Sequence, residues 1–147
     1  MRAVIDTNIF LAGLLNGDGG AAKIIALFRD GRFELVISRD LFREYVDVIH
    51  VFDNAIPAHK SEELLELVFE KAVKVKPAAG GSQCKDRDDE KFLQAALAGK
   101  ADYIVTKNRK DFPRDLPTPK IIGVGDFLKV LEERASCWQR RSSSDLI

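Results

Sequence analysis

Two cysteines in 147 residues, Cys84 and Cys137, are too few and too widely spaced for a disulfide framework, and they suit a reducing cytoplasm. The two histidines, His50 and His59, match no zinc spacing. The longest apolar run, counting Gly13, is the seven residues Ile9 to Leu15, far short of the ~20 that a bilayer span needs, so no membrane partner is expected. Asp6 arrives directly after Ala3-Val4-Ile5, so no secretory leader is expected either. Net charge is also missing: 23 Lys and Arg balance 23 Asp and Glu. That excludes a generally basic nucleic-acid coat but leaves room for a basic patch beside an acidic site. Neither Gly-x4-Gly-Lys-Ser/Thr nor Gly-x-Gly-x-x-Gly occurs, so both nucleotide-binding fingerprints are absent. There is no internal repeat and no interdomain linker.

What is present is an ordinary globular composition, 46% hydrophobic and 31% charged. It predicts one domain over residues 1–135, followed by a polar, Ser-rich and disordered tail over 136–147. Short apolar runs at Ala3 to Ile5, Leu35 to Ile37, Tyr103 to Val105 and Ile121 to Ile122 read as buried strands. Val73 and Val75, ahead of Pro77, read as an edge strand, and 78–82 as a loop. Helical patterns cover Ile9 to Leu15, Ala21 to Arg29, a Ser38-capped stretch to His50, Ser61 to Lys71 opened by a Ser61 cap, Asp89 to Gly99, and Gly125 to Arg134. Strands alternating with helices predict an α/β fold around a parallel sheet.

Open parallel sheets bind ligands beyond the carboxyl ends of their strands. Asp6 follows the first strand there, Ser38 the second, and Thr106 and Asn108 the third, with Asp111 shortly after. On the helix after Ser38, Glu44 lies just outside the apolar arc of Leu41, Phe42, Tyr45, Val46, Val48 and Ile49. Asp89 lies in line with Phe92, Leu93 and Ala96, which predicts a buried carboxylate that needs a cation. Each residue alone has a plainer role: Asp6, Asn8 and Asp89 as turn or capping residues, Glu44 as a solvated one. Together, carboxylates from separate segments converge on one edge without competing His or Cys ligands. Such hard oxygen donors suit Mg²⁺ or Mn²⁺. Those ions can activate water for phosphodiester hydrolysis, and Lys107, Arg109, Lys110 and Arg114 stand close enough in sequence to hold a polyanion. An aspartyl-nucleophile phosphatase would need a second Asp two residues after Asp6, where Asn8 stands.

Val4-Ile5-Asp6-Thr7-Asn8, then Ser38 with Glu44, then Cys84 to Leu93 followed by Ala101-Asp102-Tyr103-Ile104-Val105-Thr106-Lys107-Asn108, resemble in order and spacing the motifs of PIN (PilT N-terminus) domain nucleases. The resemblance covers roughly residues 1–130 and is nearest to the VapC-like toxins of toxin–antitoxin pairs. It implies a three-layer α/β/α sandwich with a central parallel sheet and a cytoplasmic, Mg²⁺- or Mn²⁺-dependent endoribonuclease. RNA is then the substrate and a cognate antitoxin protein a partner; the apolar helices Ile9 to Leu15 and Ala21 to Phe28 leave room for a homodimer or an antitoxin groove, with core packing the simpler explanation. The resemblance makes Asp6, Glu44 and Asp89 the core acidic ligands. Thr7, Asn8, Ser38, Thr106 and Asn108 then read as the groups that fix them, and Lys107, Arg109 and Lys110, which follow the third strand beside the acidic edge, as the RNA contacts. Where many relatives carry Asp, this chain has Asn108; Asp111 and Asp86 are the carboxylates that stand in. An alternative is a catalytically decayed module that binds RNA or protein.

Overall fold

In the computed structural model, which describes residues 1–77, 84, 87–113 and 115–145, the short apolar runs form a parallel five-stranded sheet. The strands are β1 (Arg2–Ile5), β2 (Glu34–Ile37), β3 (Val73–Lys74), β4 (Tyr103–Val105) and β5 (Lys120–Ile122). Their order is β3-β2-β1-β4-β5, with Ala3 beside Leu35, Val4 beside Ile104, Ile104 beside Ile121 and Val36 beside Val73. Ala3, Val4 and Ile5 are all wholly buried. Burial on both faces is why these strands read as continuous apolar runs rather than alternating ones.

Among the described residues, six α-helices flank the sheet: α1 (Thr7–Leu15), α2 (Gly20–Arg29), α3 (Arg39–Val51), α4 (Ala58–Lys71), α5 (Arg87–Ala98) and α6 (Val124–Asp145). The result is the expected α/β/α architecture. α1 packs on α2 and α3, α2 on α6, and α5 across β1, β2 and β4. Aromatic edges knit the layers, with Phe10 and Tyr45 5.1 Å apart and Phe33 and Phe127 5.0 Å apart. Gly13 permits the close approach of α1 to α2, since a β-carbon there would sit 2.6 Å from Ile25 Cδ1 and 3.1 Å from the Ala21 backbone. Ile9, Phe10, Ile24, Ile25 and Phe28 are buried inside this packing, so the apolar faces of α1 and α2 serve the core. No single helix among the described residues is long and apolar enough to cross a membrane.

Two expectations are corrected. α4 begins at Ala58 after Pro57, and Ser61 lies buried inside it, not at its cap. Pro57 pre-sets the entry to the first turn, so the helix starts there without a side-chain cap. α6 runs on to Asp145, beyond Arg134 where the helical pattern placed its end. No Gly or Pro follows Gly125, so nothing in the local sequence breaks the helix. The loop expected at 78–82, together with Asp86 and Arg114, lies outside the described residues.

The chain proceeds from β1 to one side of the sheet, then returns to build the other from β4. The order therefore reverses between β1 and β4, the position at which open α/β sheets form their binding crevice. α1 and α3 follow β1 and β2 directly, and α5 runs back antiparallel into β4. All three start at the carboxyl edge of the sheet.

Candidate active site

Asp6 closes β1 and caps α1 at once. Its N–H donates to Val105 O at 2.9 Å, extending the β1–β4 pairing by a residue. Its Oδ1 accepts from the Asn8 N–H at 3.3 Å, and its Oδ2 accepts from Thr106 Oγ1 at 2.7 Å. The carboxylate is only 8% exposed, and Thr106 is wholly buried. The Thr106 N–H is held by Ile122 O, and its hydroxyl also accepts from the Asn108 N–H at 3.1 Å. One hydroxyl thus ties the end of β1, the end of β4 and the loop after β4 at the point where the sheet order reverses.

Glu44, on α3, is held from two sides. Thr7 Oγ1 donates to its Oε2, and Lys91 Nζ on α5 lies 2.6 Å from its Oε1, both side chains being largely sheltered. The neighbouring Tyr45 is fully buried and its hydroxyl donates to Ile5 O at 2.6 Å. Burial, then the charges of Asp6 and Glu44, push that phenol well above its ordinary pKa. Sequence reasoning missed both Lys91 and the polar end of Tyr45. A tyrosine in an apolar arc was a legible signal, because a buried hydroxyl needs a partner. Nothing in the sequence pairs Lys91 with Glu44.

Lys91 supplies a test of whether Glu44 faces a metal. A divalent ion at Glu44 must displace the ammonium, so Lys91→Met is expected to tighten Mn²⁺ binding about fivefold, the scale of a partly sheltered ion pair. Calorimetric titration measures this; an unchanged affinity would leave Glu44 out of the metal site.

Asp89 sits in the first turn of α5 and is half-buried, less enclosed than its place in the apolar stripe predicted. The first turn of a helix at the edge of a sheet has little core beneath it. Asp89 and Asp111 both act on the thiol of Cys84. That thiol is pushed up to about 12, first by burial, then by its hydrogen bond to Glu90 and by the charges of Glu90, Asp89 and Asp111. Glu90 also accepts from the Cys84 N–H at 2.7 Å and from Gln94 at 2.9 Å. The folded thiol therefore keeps its proton where an ordinary one, near 9.0, has lost it. The folded state holds the extra proton, so this group's contribution to stability falls as pH rises from about 9 toward 12. At pH 8, alkylation of Cys84 by iodoacetamide, in a Cys137→Ser background, is expected to run at least about tenfold slower folded than in urea.

The remaining candidates are peripheral. Ser38 Oγ caps α3, accepting from the Leu41 N–H at 3.2 Å. Asn8 and Asn108 are exposed, and Asn108 precedes the 3₁₀ turn Arg109–Asp111. Lys107, Arg109 and Lys110 are exposed on the same loop, with Arg109 3.9 Å from Asp126; Asp111 is half-buried. Among the described residues no group of three or more His, Cys, Asp or Glu side chains lies close enough to hold one ion. The donor chemistry nevertheless fits a hard divalent cation. Carboxylates and hydroxyls supply it.

The parallel α/β sheet thus carries a hydroxyl-braced aspartate at its switch point, with further carboxylates on the same edge. The family model described as a PIN domain matches residues 2–110, and the chain belongs to the PIN domain family, whose members are generally nucleases. No curated protein matches the sequence significantly. The fold is similar to a chain in the crystal structure of VapBC2 from Rickettsia felis bound to a DNA fragment from their promoter. The TM-score is 0.50 at 15% identity, with 83% of this chain and 97% of that one covered.

Proposed function

We propose that the protein is a Mg²⁺- or Mn²⁺-dependent endoribonuclease and the toxin of a toxin–antitoxin pair, working in the cytoplasm. The observation that carries the reading is Asp6: nearly buried, at the switch point, and bonded by Thr106 across β1 and β4. A carboxylate so placed keeps little rotamer freedom, which suits a ligand that must stay in register through a reaction. Asp6 would hold the ion first; Asp89, Glu44 and Asp86 are the further ligands proposed, and those among the described residues would have to close on the ion as it binds, since no three acidic side chains are grouped in its absence. When bound, the ion would polarise the scissile phosphate and make a water molecule more acidic.

The chain's own residues do the rest. Thr106 holds Asp6, and Thr7 holds Glu44. Glu44 already shares its charge with Lys91, so Asp111 is the better acceptor for the proton of the attacking water. The water oxygen bonds to phosphorus, the P–O3′ bond breaks, and the leaving 3′-oxygen takes a proton from solvent, so the products carry a 5′-phosphate and a 3′-hydroxyl. Lys107, Arg109 and Lys110 contact neighbouring phosphates. The shared fold with a chain of the VapBC2 structure is in keeping with a toxin–antitoxin pair; an antitoxin partner and a homodimer are parts of the proposal.

The test is incubation of purified protein with single-stranded RNA in Mn²⁺, Mg²⁺ or EDTA. Asn108, in place of the family's acidic residue, favours a second reading, a module that binds RNA or protein without cutting it. A thermal melt separates the two. A competent metal site raises the melting temperature with Mn²⁺, by about 2.7 kcal/mol of stability at a hundredfold excess over Kd. A decayed site leaves it unchanged.

A further inference from the structure

The 3₁₀ turn and β5 together line a cavity of about 540 Å³. Its size lies within the ~300–1,000 Å³ of small-molecule sites. Its rim carries Arg109, Lys110 and Lys120, and its wall is apolar, including Pro113, Leu116 and Ile121. Among the described lining residues three are cations and none is a carboxylate, although the adjacent sheet edge is acidic. β5 is the edge strand. Lys120 N–H and Ile122 O both bond toward β4, so the strand turns the Ile121 amide and carbonyl outward, along the cavity's flank.

The turn Arg109–Asp111 joins the two regions. Asp111 acts electrostatically on Cys84 beside Asp89, while Arg109 and Lys110 of the same turn line the cavity. A polyanion with one phosphate at the acidic edge therefore has a cationic, apolar-walled recess one turn away. We propose that this recess is a nucleotide subsite. It seats one unstacked base of a single-stranded RNA on Leu116, Pro113 and Ile121, with the flanking phosphates on Lys110 and Lys120. The proposal rests on the ribonuclease reading and adds the position at which the strand is gripped. An apolar wall accepts the face of a base, and the outward backbone of Ile121 offers one donor and one acceptor to its edge. Duplex RNA keeps its bases stacked and is a poor fit.

The experiment is fluorescence anisotropy with a labelled single-stranded oligouridine, measured in EDTA so that binding is read without cleavage. Leu116→Ala is expected to weaken binding about tenfold, the scale of the apolar area that a base face would bury on the leucine. Binding of an abasic oligomer of the same length should be unchanged. Lys120→Ala should weaken both ligands and lower the salt slope by up to about one unit. Equal weakening of the oligouridine and the abasic oligomer by Leu116→Ala would overturn the base subsite. So would wild-type oligouridine binding by both variants. Circular dichroism controls for folding, and the milder Leu116→Val should fall between wild type and Leu116→Ala. Failure of the nuclease reading shows separately, as absence of Mn²⁺-dependent cleavage by a wild type that binds the oligomer.

Discussion

Asp6→Asn is expected to lower Mn²⁺-dependent RNA cleavage by at least about a hundredfold while leaving a folded protein that still binds RNA. Groups that merely orient a metal ligand cost about 10–100-fold when removed, so the ligand itself should cost no less. The amide keeps the size of the carboxylate and can still accept from Thr106 Oγ1 and the Asn8 N–H, so the cap of α1 survives. What it loses is the charge a hard cation requires. RNA binding in EDTA should persist, because Lys107, Arg109 and Lys110 are exposed on a separate loop. Cleavage time courses, circular dichroism and anisotropy measure the three quantities. A folded variant that cuts at the wild-type rate would remove Asp6 from the chemistry.

Thr106→Val comes next in expected size. Valine keeps the shape and the strand backbone but removes a wholly buried hydroxyl that donates to Asp6 at 2.7 Å and accepts from the Asn108 N–H at 3.1 Å. Asp6 then loses its brace and the Asn108 amide its acceptor. The cost to stability is about 1–3 kcal/mol, that of buried polar groups left unpaired. Cleavage should fall about 10–100-fold through weaker and less ordered metal binding. Urea unfolding and Mn²⁺ titration of the cleavage rate check the two parts. Thr106→Ser should recover most of the activity, since it restores the hydroxyl; a serine variant as impaired as the valine one would point to packing instead.

The parts of this site that the sequence made legible are those set by local pattern. β1, β2 and β4 are short apolar runs because both faces of the sheet are covered, and Asp6 and Thr106 stand out as the polar residues that end two of them. The Ser38 cap follows from local chemistry in the same way. Helical phase was weaker. It put Asp89 in the apolar stripe without knowing that the first turn of α5 lies at the sheet edge, where that stripe is half open. Glu44 came out just beyond the apolar arc, but what defines its surroundings is Thr7 and Lys91, from two other helices. Which long side chain meets which carboxylate is decided by the crossing of α1, α3 and α5, and no spacing along the chain encodes it. Ser61 shows the opposite error: a residue suited to capping was read as a cap, while the chain turned at Pro57. The recess beside β5 was invisible for a similar reason, since Arg109 and Lys110 reach the flank of Lys120 and Ile121 only through the fold.

Hydrolysis of RNA with a divalent metal, at the edge where β1 meets β4, is the central proposal. The most direct measurement is end-group analysis of a labelled single-stranded RNA incubated with purified wild-type protein in Mn²⁺ and in Mn²⁺ with excess EDTA. The account predicts internal cuts that leave 5′-phosphate and 3′-hydroxyl ends, and none with EDTA. Cleavage that persists in EDTA, or products ending in 2′,3′-cyclic phosphate, would contradict it.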